Sequence, residues 1–316
     1  MLDGMRYTIA LLVILTLGCS KRESPSEAAT EASGETKSST ATDAAPKADR
    51  AVAQQPSLEP PTVKLITPGK PPLEKVRWEF REGTKEVLKT TIKQTFSMRG
   101  GGWDNQSVPT GIAQTIDFTT NSVSPDGSAE VALLIREVAE VQTPDADSAA
   151  IIGGKDATGT YKVSSAGVIQ DLKLVASPDA KYKALDVIES LLRLTLLPVP
   201  EEPIGVGAKW TVTQTLNQFG TPANEVMTVE LVELHDSELV VRVAIQSKGS
   251  RPAAAEKTVS LATDTQILAK LRRNKLLPVS SELENQTVEV VKAAGVDGPM
   301  GKLTVRTHRI VKMRSE

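Results

Sequence analysis

Residues 87–98 alternate through Leu88, Thr90, Ile92 and Gln94, and a period of two puts every second side chain on one face of a strand. Residues 111–123, the turn Ser124-Pro125-Asp126-Gly127 and residues 129–141 read as a hairpin. Tyr161-Lys162-Val163 and residues 168–174 predict a second one, across Ser165-Ala166-Gly167. The same order of pieces then returns. Residues 207–218 align without a gap on residues 83–94, and Val212 and Leu216 keep the parity of Leu88 and Ile92. Residues 225–234, the turn His235-Asp236-Ser237 and residues 239–246 match the first hairpin, while residues 257–261, Thr263-Asp264-Thr265 and residues 267–272 are expected to match the second. This repetition predicts an internal duplication. Residues 286–292 and 302–313, joined by a Gly-rich turn, add a closing hairpin.

Between the two runs the period changes. Ser177-Pro178-Asp179 has the chemistry of a helix start: a capping hydroxyl, proline at the first helical position and an acid in the first turn. Tyr182, Leu185, Ile188, Leu191 and Leu192 then recur at helical spacing, which predicts a helix with one buried stripe. Pro198 ends it. The expected fold is mainly β, a β-rich α+β class in which two similar antiparallel β units, about residues 75–176 and 204–313, form a curved sheet or half-barrel. One central helix, about residues 178–196, joins them.

The N-terminus carries a different pattern. An apolar run covers residues 7–17 behind Arg6; as a helix it would reach only about 16 Å, against a hydrocarbon core of about 30 Å. That suits a secretory signal, residues 1–18, better than a membrane span. Leu15-Thr16-Leu17-Gly18-Cys19 resembles a bacterial lipobox, which makes Cys19 the expected lipid attachment site, and Ser20 after it favours the outer membrane. Residues 19–61 are Ala, Ser, Thr, Glu, Lys and Pro with few large aliphatics, so they cannot bury enough apolar surface to offset the entropy of ordering. They read as a disordered tether spanning about 35 Å root-mean-square, with the β-rich domain at 62–316.

Composition narrows the function classes. The chain has 316 residues, 40% hydrophobic but only 3% aromatic, so its core must be built from Val, Leu, Ile and Ala. Lys and Arg number 37 against 39 Asp and Glu, and the excess of cations that phosphate binding needs is missing. No nucleic-acid partner is expected. Cys19 is the only cysteine, which excludes an internal disulfide and, with two histidines, leaves too few soft donors for a zinc site. His235 and His308 have no motif around them. Glu137 with Glu140, and Glu230 with Glu233, could supply an acid and a base, but in alternating strands they read as solvated charges. Asp145 and Asp147 lack the spacing of a calcium loop, and the glycines at 100–102 and 153–154 lack that of a phosphate loop. No catalytic residue, cofactor or metal is expected.

The joint Leu197-Pro198-Val199-Pro200-Glu201-Glu202-Pro203-Ile204-Gly205-Val206-Gly207-Ala208-Lys209-Trp210 resembles an element of an uncharacterised family of bacterial lipoproteins, in which a Pro-rich joint precedes Gly-x-Gly-x-x-Trp. The resemblance implies a β-rich envelope lipoprotein and brings no activity with it. Two function classes remain. One is a structural or interaction module of the envelope, membrane-anchored and without catalysis, whose sheet edges meet a protein partner. The other is a periplasmic carrier of a lipid or other hydrophobic ligand, with Leu185, Ile188, Leu192 and Trp210 as its candidate cavity wall.

Overall fold

A computed structural model of the chain describes residues 60–100, 103–106, 110–142, 150–151, 156–175, 191–192, 195–218, 221–253, 257–293 and 302–316. The alternating runs become long antiparallel strands. They are β1 (Thr62–Thr67), β2 (Lys85–Gly100), β3 (Trp103–Gln106), β4 (Thr110–Val123), β5 (Ala129–Gln142), β6 (Ala150–Ile151), β7 (Thr158–Val163) and β8 (Ile169–Val175), followed by β9 (Lys209–Gln218), β10 (Thr221–His235), β11 (Glu238–Ala253), β12 (Lys257–Arg272), β13 (Ser280–Ala293) and β14 (Lys302–Ser315). All join one sheet in the order β1-β9-β10-β11-β12-β13-β14-β2-β4-β5-β7-β8, with β3 beside β2 and β6 beside β5. The fold is mainly β. Because β14 pairs with β2 over most of its length, the last strand of the chain joins the second run to the first.

The backbone is alike where the two runs begin. Gly83 and Gly207 both take positive φ, 75° and 84°, a region that costs any residue with a Cβ. Each then opens the same bonded pair. Gly83 N–H donates to Thr120 O and Thr120 N–H to Thr84 O; Gly207 N–H donates to Leu231 O and Leu231 N–H to Ala208 O. The register shifts at the matching place in both, between Thr120 and Ser122 and between Leu231 and Glu233. Those shifts are β-bulges, and each directly precedes the tight turn of its hairpin.

One expected hairpin is absent. β12 runs unbroken through Thr263-Asp264-Thr265 and pairs along its length with β11 and β13. The reason is parity: Leu261, Thr263, Thr265 and Ile267 all lie on one face, so the turn-like composition never interrupts the alternation. The counterpart of the turn at 164–168 is therefore the β12–β13 connection, residues 273–279. No central helix is seen among the described residues. Of the helix expected at 178–196, Leu191, Leu192 and Thr195 carry helical backbone, Leu196 forms a bend, and the remainder lies outside the described residues. β1 is a strand that the alternation did not predict.

The two faces of the sheet differ. Leu88, Ile92, Ile116 and Phe118 of the first run and Trp210, Val212, Val229 and Val241 of the second belong to one continuous buried core on the inner face. The outer face carries the charges. At one level, Lys209, Glu230, Arg242, Leu268, Glu282 and Lys312 stand side by side across six strands. Ion pairs link Lys209 to Glu230 at 3.8 Å, Arg242 to Glu230 at 3.3 Å and Lys312 to Glu282 at 3.3 Å.

Candidate functional site: two interior straps and a buried carboxylate

The segment before β9 enters the core without regular structure. Leu196, Leu197, Pro198, Val199 and Pro200 are all buried, which is costly unless their backbone polar groups find partners. Proline removes part of that cost, since Pro198 and Pro200 have no N–H to satisfy. Side chains and one turn satisfy four more of these groups. Trp78 Nε1 donates to Leu197 O at 3.1 Å, Trp210 Nε1 to Pro198 O at 2.9 Å and an Arg77 Nη1 to Pro200 O at 2.8 Å. Val199 N–H donates to Ala166 O in the β7–β8 turn at 2.9 Å. A side chain at Gly167 would collide with Leu197 O and the Trp78 indole, so this close approach requires glycine there.

The segment before β2 lies alongside. Glu74 and Ile204 exchange backbone hydrogen bonds of 3.0 and 2.9 Å. Trp78 N–H then donates to Ser165 O in the β7–β8 turn, while the next amide, Glu79 N–H, donates to Arg273 O in the β12–β13 connection. This strap thus touches the corresponding corner of both runs. Two ion pairs also tie it down, Arg77 with Glu201 and Glu74 with Arg273 of the β12–β13 connection.

At the start of β2, Glu86 points into the core and is 1% exposed. Its carboxylate accepts Leu276 N–H at 2.9 Å and Leu277 N–H at 3.3 Å, both from the β12–β13 connection. Burial pushes its pKa up, and the Leu276 amide, Lys275 and the Leu277 amide hold it partly back. Tyr161, also buried, is pushed up by burial and by Glu86, and its hydroxyl is without a hydrogen-bond partner.

Farther along the inner face a polar band crosses the sheet. Thr265, Asn285, Arg309 and Gln94 face one another on β12, β13, β14 and β2. One level on stand Gln214, Glu225, Ser247, Thr263, Thr287 and Thr307. The band is bonded internally: Asn285 Nδ2 donates to Thr265 Oγ1 at 2.6 Å, Gln214 Nε2 to Glu225 Oε1 at 2.7 Å and Arg309 Nε to Gln94 Oε1 at 3.1 Å. Such a network disfavours a two-residue slip of these long strands, because a slip preserves the faces but strands buried polar groups opposite apolar ones.

The expected site residues fall as follows. Leu192 and Trp210 are buried, Trp210 completely, whereas Cys19, Leu185 and Ile188 lie outside the described residues. Between Leu197 and the inner faces of β10, β11 and β12 the described walls leave a gap of only about 10 Å³, enough for one water at most. A shallow groove of about 400 Å³ lies on the outer face around Leu268 and Ile310. His308 meets Glu284 on the outer face at 2.9 Å, and His235 meets Glu233 at a turn at 3.5 Å. Glu230 is tied to Lys209 and Arg242, and Glu137 is exposed. Asp145, Asp147 and the glycines at 153–154 lie outside the described residues. Among the described residues no cluster of His, Cys, Asp and Glu could hold a metal, and no helix is long and apolar enough to cross a membrane. Sequence reasoning missed Glu86, Glu225 and Arg309. Each does carry a signal: a charge on the parity of the apolar residues around it.

No family model and no curated protein matches the chain. Among solved structures it is similar to engineered variants of a Rhodopseudomonas blastica porin. A triple mutant aligns at 8% identity with a TM-score of 0.22, a double mutant at 10% and 0.22, and a further triple mutant at 10% and 0.21. Each alignment covers 73% of this chain and 100% of the porin. At such TM-scores the likeness carries no argument about this chain.

Proposed function

We propose that the chain is an envelope lipoprotein without catalytic activity, anchored through Cys19, whose β-rich domain is a structural or interaction module displayed on a tether. The observation that carries this reading is the contrast between the faces. Among the described residues the inner face of β10, β11 and β12 leaves a gap of only about 10 Å³ beside Leu197, and the outer face presents the charge ladder and the exposed side chains Val226 and Leu268, 41% and 54% accessible. A surface of that kind suits contact with a protein partner more than enclosure of a ligand. It is also the reverse of a membrane-spanning β-barrel, whose outer face is an apolar band and whose lumen is polar. The anchor therefore rests on the lipobox resemblance of residues 15–19, and the outer membrane on Ser20, with the domain facing the periplasm or the cell surface.

The carrier reading is the weaker one. It requires an apolar cavity, and the described members of its proposed wall, Leu192 and Trp210, are packing residues of the core. The matching glycines, bulges and hydrogen bonds of the two runs support descent from a duplicated unit. Two experiments in cells test the proposal together. Labelled palmitate enters the wild-type chain and is lost in Cys19→Ser, and a photo-crosslinker placed at Leu268 or Val226 gives a discrete protein adduct. Labelling that survives Cys19→Ser removes the anchor; the absence of an adduct at both outer positions removes the interaction reading.

A further inference from the structure

The charge ladder on the outer face inverts its sign about one residue. Leu268 of β12, exposed and apolar, stands at its middle. One strand out, Arg242 on β11 is matched by Glu282 on β13; two strands out, Glu230 on β10 is matched by Lys312 on β14. The next level repeats the inversion in its outer pair, Glu233 on β10 and Arg314 on β14. Lys270 lies at the middle of that level, its own charge paired with Glu238 at 2.7 Å. The shallow groove around Leu268 thus has an apolar centre and a charged rim, the anatomy of a protein contact.

Sign inversion about a line is what a two-fold contact needs. When two copies lie face to face about an axis parallel to the strands, each strand meets the strand equally far to the other side of that axis. With the axis along β12, Leu268 meets Leu268, Arg242 meets Glu282, Glu230 meets Lys312 and Glu233 meets Arg314, and each charged pair forms twice. Moved one strand to either side, the axis sets Arg242 or Glu282 against itself. We propose that the partner of the outer face is a second copy of this chain, joined about a two-fold axis along β12. This names the partner for the interaction reading above and rests on that reading. Complementary charges at exposed positions fix orientation more than strength. Asp264, two outward-facing positions from Leu268 on β12, meets its own copy and bounds the contact in that direction. The pairing is therefore weak, absent from dilute solution and formed where a shared membrane concentrates the chain.

A photo-crosslinker in place of Leu268, in the full-length chain in cells, reads the contact at its axis. The expected adduct has twice the mass of the chain. The side chains of Arg242 and Glu282 are 60% and 64% accessible, so reversing their charges spares the core. Arg242→Glu alone and Glu282→Arg alone each set like charges across the axis and reduce the doubled adduct about tenfold. Co-expressing the two variants restores it, because each presents the charge the other lacks. A doubled adduct that neither reversal weakens overturns the proposal, and so does a loss that co-expression fails to restore in variants that accumulate as the wild type does. An adduct with a different protein alone also overturns it but leaves the interaction reading standing, whereas no adduct at Leu268 or Val226 removes both. The wild-type arm does not depend on the variants.

Discussion

The two runs use the same backbone frame to opposite chemical ends. Three residues past the positive-φ glycine stands Glu86 in one run and Trp210 in the other, both almost wholly buried. Each grips an irregular connection by its backbone, but Glu86 accepts from two amides and Trp210 donates to one carbonyl. The difference follows from what each must satisfy. The β12–β13 connection turns N–H groups inward, whereas the strap at 196–200 is depleted of N–H groups by its prolines and offers carbonyls. The same backbone frame thus accepts different buried residues as long as hydrogen-bonding polarity matches the segment each one holds.

Substitutions at these two positions give the largest effects. Trp210→Ala removes a fully buried indole and leaves Pro198 O unpaired; a loss of about 4 kcal/mol is expected in urea unfolding. Glu86→Ala orphans two amides but also removes a buried polar group that lacks its hydration, so its net loss is smaller, about 2 kcal/mol. An equal loss at both sites would break the comparison. The glycines come next. Gly83→Ala and Gly207→Ala meet open space on their side-chain sides, so only the positive φ opposes them. Each should cost about 1–2 kcal/mol, and the two costs should agree. Unequal values would show that the shared backbone frame is supported differently in the two runs.

Much of the sheet could be read from parity alone. The hairpins around Asp126-Gly127 and Asp236-Ser237, the closing pair of strands and the alignment of 83–94 with 207–218 all rest on local alternation and turn residues, which tertiary packing reinforces. Thr263-Asp264-Thr265 misled because its composition is that of a turn, while its parity, the stronger constraint, is that of a strand. β1 has too short an alternation around an exposed Lys64 to stand out beside the Ala- and Ser-rich stretch before it. The straps were illegible for another reason. Pro198 and Pro200 end regular structure in any sequence, but their burial depends on Trp78 and Arg77, more than a hundred residues away in the chain. Leu185, Ile188, Leu192 and Trp210 carry an apolar signal that is plain in sequence, whereas Glu86 reads as one more charge in an alternating strand, because its bonds to Leu276 and Leu277 come from far along the chain.

Native mass spectrometry of the untagged protein extracted from membranes tests the central claim, a lipid-anchored domain whose interior is already filled by its own straps. The predicted result is one species, the mass of a chain beginning at Cys19 with its covalent lipid and nothing further bound. A second, non-covalent lipid retained in stoichiometric amount would contradict it.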